Sequence, residues 1–218
     1  MNYRADIVSI SAGAVTIAAD EEMLRAIQRT GAAQLDLRPL DPRCHSREQH
    51  GKVFALCREI ARHWGYLPEE MRGILQDKFC EDEWLEPFSM QDADMSLCSR
   101  FIKFLINHCL EYGVQTKYPL GQYADDLEKY IYACLYYKKC AICGRDGETH
   151  HVDAIQMGHD RDEADHLGRR AICLCRTHHT QAHQMGVNTF FEMHHLPRGI
   201  KLDEYLCKKL KLKAGHTL

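Results

Sequence analysis

Long apolar runs are missing from this chain of 218 residues. No stretch approaches the roughly 18 consecutive apolar residues that a helix needs to cross a bilayer, so no membrane role is expected. A secretory leader is missing as well: Arg4 and Asp6 interrupt the opening and no apolar segment follows. That predicts a cytoplasmic protein, in a reducing compartment where its eleven cysteines stay as thiols or metal ligands. Net charge is close to absent. The formal value is -3 at pH 7, from 28 Lys+Arg and 31 Asp+Glu, so bulk charge gives no sequence-independent grip on nucleic acid. Internal repeats, low-complexity tracts and flexible linkers are absent too, which predicts one large part or two modest parts packed closely together.

What the sequence does have lies near its C-terminal end. Residues 1–139 carry 17 Lys+Arg and 21 Asp+Glu, whereas residues 140–218 carry 11 and 10 and hold ten of the fourteen histidines. Two ligand sets interleave there. Cys140 and Cys143 in CAICG, with Cys175 and His178 in LCRTHHTQAH, form two short knuckles far apart in sequence. That is the usual way to deliver four soft or borderline ligands to structural Zn2+. His150, from THHVD, groups with His179 and His183, because residues four apart on a helix share a face. His178 and His179 point about 100° apart around a helix and so serve different ions. His151 is left over beside a ligand, and an unliganded imidazole next to a metal suits a general base. The competing reading gives His150 and His151 a purely structural role, for instance as swapped zinc ligands. Cys173 competes with Cys175 at a poorer spacing to His178, and a strand-buried thiol is the preferred reading for it.

His150-His151, the His179-x3-His183 pair and the two knuckles together resemble the zinc-stapled subtype of the HNH nuclease family. The resemblance implies a ββα-metal (His-Me finger) domain, with His150 as first metal ligand, His151 as general base, and His179 and His183 as ligands from the helix. It also implies a catalytic divalent ion, Mg2+ or Mn2+, and products with 5′ phosphate and 3′ hydroxyl ends. Imidazole ligands tolerate Zn2+ or Ni2+ as well. One letter of the pattern departs. The family places an Asn nine residues before the first helix histidine to orient the base, and Arg170 stands there. Either a backbone carbonyl near Arg170 or the nearby His166 orients His151, or the catalytic geometry has decayed; Arg170 could instead contact phosphate.

Upstream, residues 3–10 and 14–18 read as a strand pair around Ala12-Gly13, followed by a helix from Asp20 and a strand at 33–38. Ser46-x-x-Gln49 reads as a capping box that opens a helix, with Val53, Leu56, Cys57, Ile60 and Trp64 at helical spacing as far as Gly65. Pro68 opens another helix through Phe79, Asp94 caps one that ends at Gly113, and a last one runs from about Tyr123 to Tyr137. The fold class is α+β, a mixed strand-helix opening with a helical bundle before the metal-binding part. The segment from Ser46 to Phe79, after the strand-rich opening, is similar to the Orf (NinB) family of phage recombination proteins. That likeness spans roughly residues 1–115 and implies a dimeric single-strand DNA binder that helps load a recombinase. The expected division is a DNA-binding domain at 1–120, a connecting helix at 121–139 and an HNH nuclease domain at 140–218.

These readings predict a metal-dependent DNA endonuclease that hydrolyses phosphodiester bonds in phage recombination or replication, in the cytoplasm of a bacterial host. Single-stranded or branched DNA is the expected substrate, a single-strand binding protein or recombinase the expected partner, and a homodimer the expected assembly. The alternative is a noncatalytic, zinc-containing single-strand DNA-binding mediator. Cys44, Cys57, Cys80, Cys98, Cys109, Cys134 and Cys207 read as buried thiols. His159, His166, His194 and His195 read as solvated loop residues. Arg145, Arg161, Arg169, Arg176, Arg198 and Lys201 surround the motif as phosphate contacts or as plain surface. Tyr130, Tyr132, Tyr136 and Tyr137 favour packing over base stacking.

Overall fold

The structure, a computed structural model, describes residues 5–31, 34–35, 43–152 and 165–214. It is α+β and divides into two compact units, residues 1–40 and residues 41–218. No helix among the described residues is long and apolar enough to cross a membrane.

The first unit holds an antiparallel hairpin of β1 (Asp6–Ser11) and β2 (Ala14–Ala18), then α1 (Glu21–Thr30). Gly13 takes a positive φ of 84° in the hairpin turn, a conformation with little cost for glycine alone. Asp20 caps α1 by accepting from the Met23 N–H at 2.7 Å. The strand expected at 33–38 lies outside the described residues except at 34 and 35, which are irregular.

The second unit is built on α2 (Arg47–Trp64), α3 (Pro68–Glu83), α4 (Met95–Tyr112) and α5 (Leu127–Tyr136). Local sequence dictates their ends. Ser46 and Gln49 form the reciprocal capping box, and Gly65 closes α2 in the left-handed conformation. Asp94 and Gly113 do the same for α4. The last helix starts at Leu127 rather than Tyr123: Leu120–Gln122 makes a 3₁₀ turn, and the Asp126 carboxylate accepts from the Glu128 and Lys129 N–H groups. Val53, Leu56, Cys57 and Ile60 are buried as their spacing requires, but Trp64 is 46 % exposed and rests its edge on Tyr112. Phe79 and Phe101, both buried, meet at 5.2 Å between ring centroids. Cys57, Cys80, Cys98, Cys109, Cys134 and Cys207 are buried thiols, whereas Cys44 is exposed, because its segment only bridges to Asp94 at the edge of the helices.

A three-stranded antiparallel sheet follows, in the order β3 (Glu148–His151), β4 (Arg170–Leu174), β5 (Ile200–Lys201). The helices α6 (Arg176–Met185), α7 (Val187–Met193) and α8 (Glu204–Leu210) complete the unit. Ala171, Ile172, Cys173 and Leu174 of β4 belong to the same buried cluster as the residues of α2 to α5. The sheet is therefore seated on the helical core. Gly199, at φ 64°, brings the chain so close to β4 that an added Cβ would stand 2.6 Å from the Ala171 carbonyl oxygen. Gly199→Ala is expected to cost about 3 kcal/mol, from left-handed strain together with a backbone clash; urea denaturation reads it, and an unchanged midpoint would refute the close approach.

Candidate functional site

Two groups of ligand-type side chains form where β3, β4 and α6 meet. The first knuckle is a tight turn after α5, in which Cys140 N–H donates to the Arg145 carbonyl at 2.7 Å and Gly144 N–H to the Cys140 carbonyl at 2.8 Å. Two bonds pin it to the core: Ala141 N–H donates to the Cys173 carbonyl, and the buried Tyr130 hydroxyl donates to the Ala141 carbonyl, both at 2.9 Å. Tyr130 is thus packing, as expected. The second knuckle begins where β4 ends, with Cys175 at the N-cap of α6 and His178 within its first turn.

The four side chains converge. His178 Nδ1 stands 3.3 Å from both Cys140 Sγ and Cys175 Sγ, and Cys143 Sγ stands 3.8 Å from Cys175 Sγ. Two sulfurs each about 2.3 Å from a tetrahedral ion lie about 3.8 Å apart. A buried Cys3His group at these separations fits structural zinc. Burial pushes the Cys140 thiol up to about 12. At Cys143 burial acts the same way and is the largest single effect, but the hydrogen bonds from Arg145, Cys140 and Cys175 together outweigh it and hold that thiol below its ordinary range. Arg145 Nε donates to Cys143 Sγ at 3.3 Å, so this arginine, two residues beyond the knuckle, is committed to the sulfurs. The sequence reading placed it only on the surface or on phosphate. Cys173 is buried in β4 and lies outside the group.

The second group is His150 with His179 and His183, their ligand atoms within 4.8 Å of one another. His179 Nε2 and His183 Nε2 approach to 3.2 Å across one turn of α6. Nitrogens sharing an ion at about 2.0–2.1 Å stand close to that far apart. The His150 ring lies 4.7 Å from His179 and 5.0 Å from His183 between centroids, and its Nε2 is buried with no hydrogen-bond partner among the described residues. A buried lone pair facing two more imidazoles fits a divalent cation. Burial first, then the neighbouring His179, His183 and His151, lower the His150 pKa from 6.5 to about 4. Its ring is therefore neutral and able to ligate at physiological pH.

A stability consequence follows, since a lowered histidine pKa means that the unfolded chain binds this proton first. Stability contributed at neutral pH falls as pH drops through about 6.5 and is fully lost below about 4. His150→Gln should flatten that part of the melting-temperature profile. An identical slope in wild type and variant would contradict it.

His151 follows on β3, paired in register with Ala171. Its ring stacks on His166, with centroids 4.7 Å apart and planes inclined by 28°. His166 is 4 % exposed, not the solvated loop residue expected; its N–H donates to the Lys213 carbonyl and its carbonyl accepts from Arg169 N–H. The sequence names His166 as a possible partner of His151, and the two rings are in contact. Arg170 opens β4 opposite Lys201 and is exposed. His194 is half-buried, with its ring 5.6 Å from His178, and His195 is exposed as expected. His159 and Arg161 lie outside the described residues.

Comparison with curated proteins and with solved structures gives no significant match. The family model described as Putative HNHc nuclease matches residues 18–213, and the chain belongs to that HNH nuclease family.

Proposed function

We propose that this protein is a metal-dependent DNA endonuclease of the HNH type, and that β3, β4 and α6 are its ββα-metal core. The observation that carries the reading is the convergence of His150, His179 and His183 from a strand and a helix, with His151 as the next residue along the strand. His150, His179 and His183 hold the catalytic ion, Mg2+ or Mn2+, which when bound stabilises negative charge on the scissile phosphate and the departing 3′ oxygen. His151 accepts the proton of the attacking water, whose oxygen forms the new bond to phosphorus as the bond to the 3′ oxygen breaks, and that 3′ oxygen takes a proton from solvent. The products are a 5′ phosphate and a 3′ hydroxyl. His166, stacked on His151, holds the base ring in the role that the missing Asn plays elsewhere in the family, and Arg170 contacts phosphate. Cys140, Cys143, Cys175 and His178 hold a structural zinc that fixes the knuckles to α6.

Phage recombination or replication is the proposed setting, with a single-strand binding protein or recombinase as partner. The Orf-like character of residues 1–115 supports it, as it supports a dimer and the division at 1–120, 121–139 and 140–218. The test is cleavage of single-stranded, duplex and branched DNA with Mg2+, Mn2+, Zn2+ and Ni2+ in turn. Cutting with at least one ion supports the nuclease reading. Binding without cutting under every ion would replace it with the noncatalytic mediator, for which the Arg170 substitution speaks.

A further inference from the structure

We propose that the cleft between α5 and the β4–β5 edge is the track for a single-stranded segment of the substrate, leading to the imidazole trio. The inference rests on the nuclease reading and adds where, and in what form, the nucleic acid lies. The cleft measures about 650 Å³. That is the size of a small-molecule site, so it admits a few nucleotides of one strand and not a duplex.

Its walls carry the two features that hold unpaired nucleic acid, cations for the backbone and aromatic faces for the bases. Lys103 from α4, Arg170 from β4 and Lys201 from β5 face the same space. Lys103 and Lys201 are exposed and make no ion pair among the described residues. Lys129 also lines it but is engaged by Asp126 at 2.9 Å; the cleft's own acids are Glu128 and Asp203. The aromatic wall is α5. Tyr132 and Tyr136 are half-buried there, unlike the fully buried Tyr130. Tyr205 of α8, just outside the lining, stacks on Tyr136 with planes 4° apart and is 58 % exposed, which extends the aromatic surface outward. Lys209 Nζ lies 4.3 Å from the Tyr136 ring centroid, adding a cation where a phosphate would follow a stacked base.

Continuity with the site fixes the direction. The Arg170 carbonyl accepts from Val152 N–H at 2.9 Å, and Ala171 pairs with His151. Side chains alternate along a strand, so Arg170 shares a face of β4 with Ile172, the register partner of His150, and a nucleic-acid strand passing Arg170 runs on the face that carries this member of the imidazole trio. The net charge of -3 does not oppose this, because a local track needs only a few phosphate contacts.

The decisive measurement is fluorescence anisotropy of the full chain with a labelled oligothymidylate and with a labelled duplex, over a salt series without added Mg2+. The variants are Lys103→Glu with Lys201→Glu, the milder Lys103→Gln with Lys201→Gln, and Tyr205→Ala; thermal melts confirm that each folds. The charge-reversed pair should weaken oligothymidylate binding at least about tenfold, and the neutral pair should reduce the slope of log K against log salt by about 1.4, from two lost phosphate contacts. Tyr205→Ala should weaken the oligothymidylate and leave the duplex unchanged. Equal losses on single strand and duplex, or no loss on either, would overturn the track while cleavage by wild type still upholds the nuclease. A wild type that binds and cuts no DNA at all would overturn both.

Discussion

Replacing His151 with alanine should reduce DNA cleavage by about 10²–10⁴-fold while zinc content, melting temperature and DNA affinity stay at wild-type values. The side chain sits beside His150 on β3 but outside both ligand groups, so neither coordination nor the core depends on it. On the proposed mechanism what is lost is the proton acceptor for water, and each tenfold drop corresponds to about 1.36 kcal/mol of barrier. His166→Ala tests the same unit from one step away. Losing the ring stacked on His151 should cost less, about tenfold, because the base ring loses its fixed orientation. A His151→Ala enzyme cutting at the wild-type rate would remove the general base from the mechanism.

The second large effect concerns the sulfur-rich group. Cys175→Ala, or stripping by a strong chelator, should release one zinc equivalent and unfold the β3–β4–α6 region. The reason lies in α6 itself. It has ten residues, no side-chain cap at its N-terminus, and only Ala182 fully buried; a helix that short and polar is marginal without tertiary anchors. Its anchors are the ligands it contributes to the two groups. Structural zinc contributes about 10–16 kcal/mol in finger peptides at pH 7, comparable with or above the entire net stability of a domain, about 5–15 kcal/mol. Elemental analysis and proteolysis mapping should show zinc loss together with new cuts between residues 138 and 185. The His179 and His183 pair should lose its ion in the same experiment, since both ride on α6. Retention of zinc and of the wild-type melting curve by Cys175→Ala would exclude the structural role.

Much of this was legible in the residues. Helix ends written in short-range code were read directly: the Ser46–Gln49 box, Asp94, Gly65 and Gly113 all act where their side chains or φ angles dictate. The division of the ligand-type side chains into two groups was legible for a similar reason, since the two knuckles and the four-residue spacing of His179 and His183 are local patterns. Tertiary returns were not. The sequence names His166 beside His151 only as one option among three and does not foretell its burial; the aromatic cleft needs α5 to lie along β4 and β5. The two-residue β5 and the seven-residue α7 and α8 carry too little periodicity to announce themselves. Arg145 shows the complementary failure: a lone arginine near a motif reads as surface until its guanidinium is seen on the sulfurs.

One peripheral detail bears on handling the protein. Of the eleven cysteines, Cys44 alone is exposed. A maleimide dye will therefore alkylate it first and give a reporter placed away from both ligand groups. In aerated buffer the same atom will couple two molecules covalently, so an assembly state measured without reductant would count an oxidation artefact as a native pair.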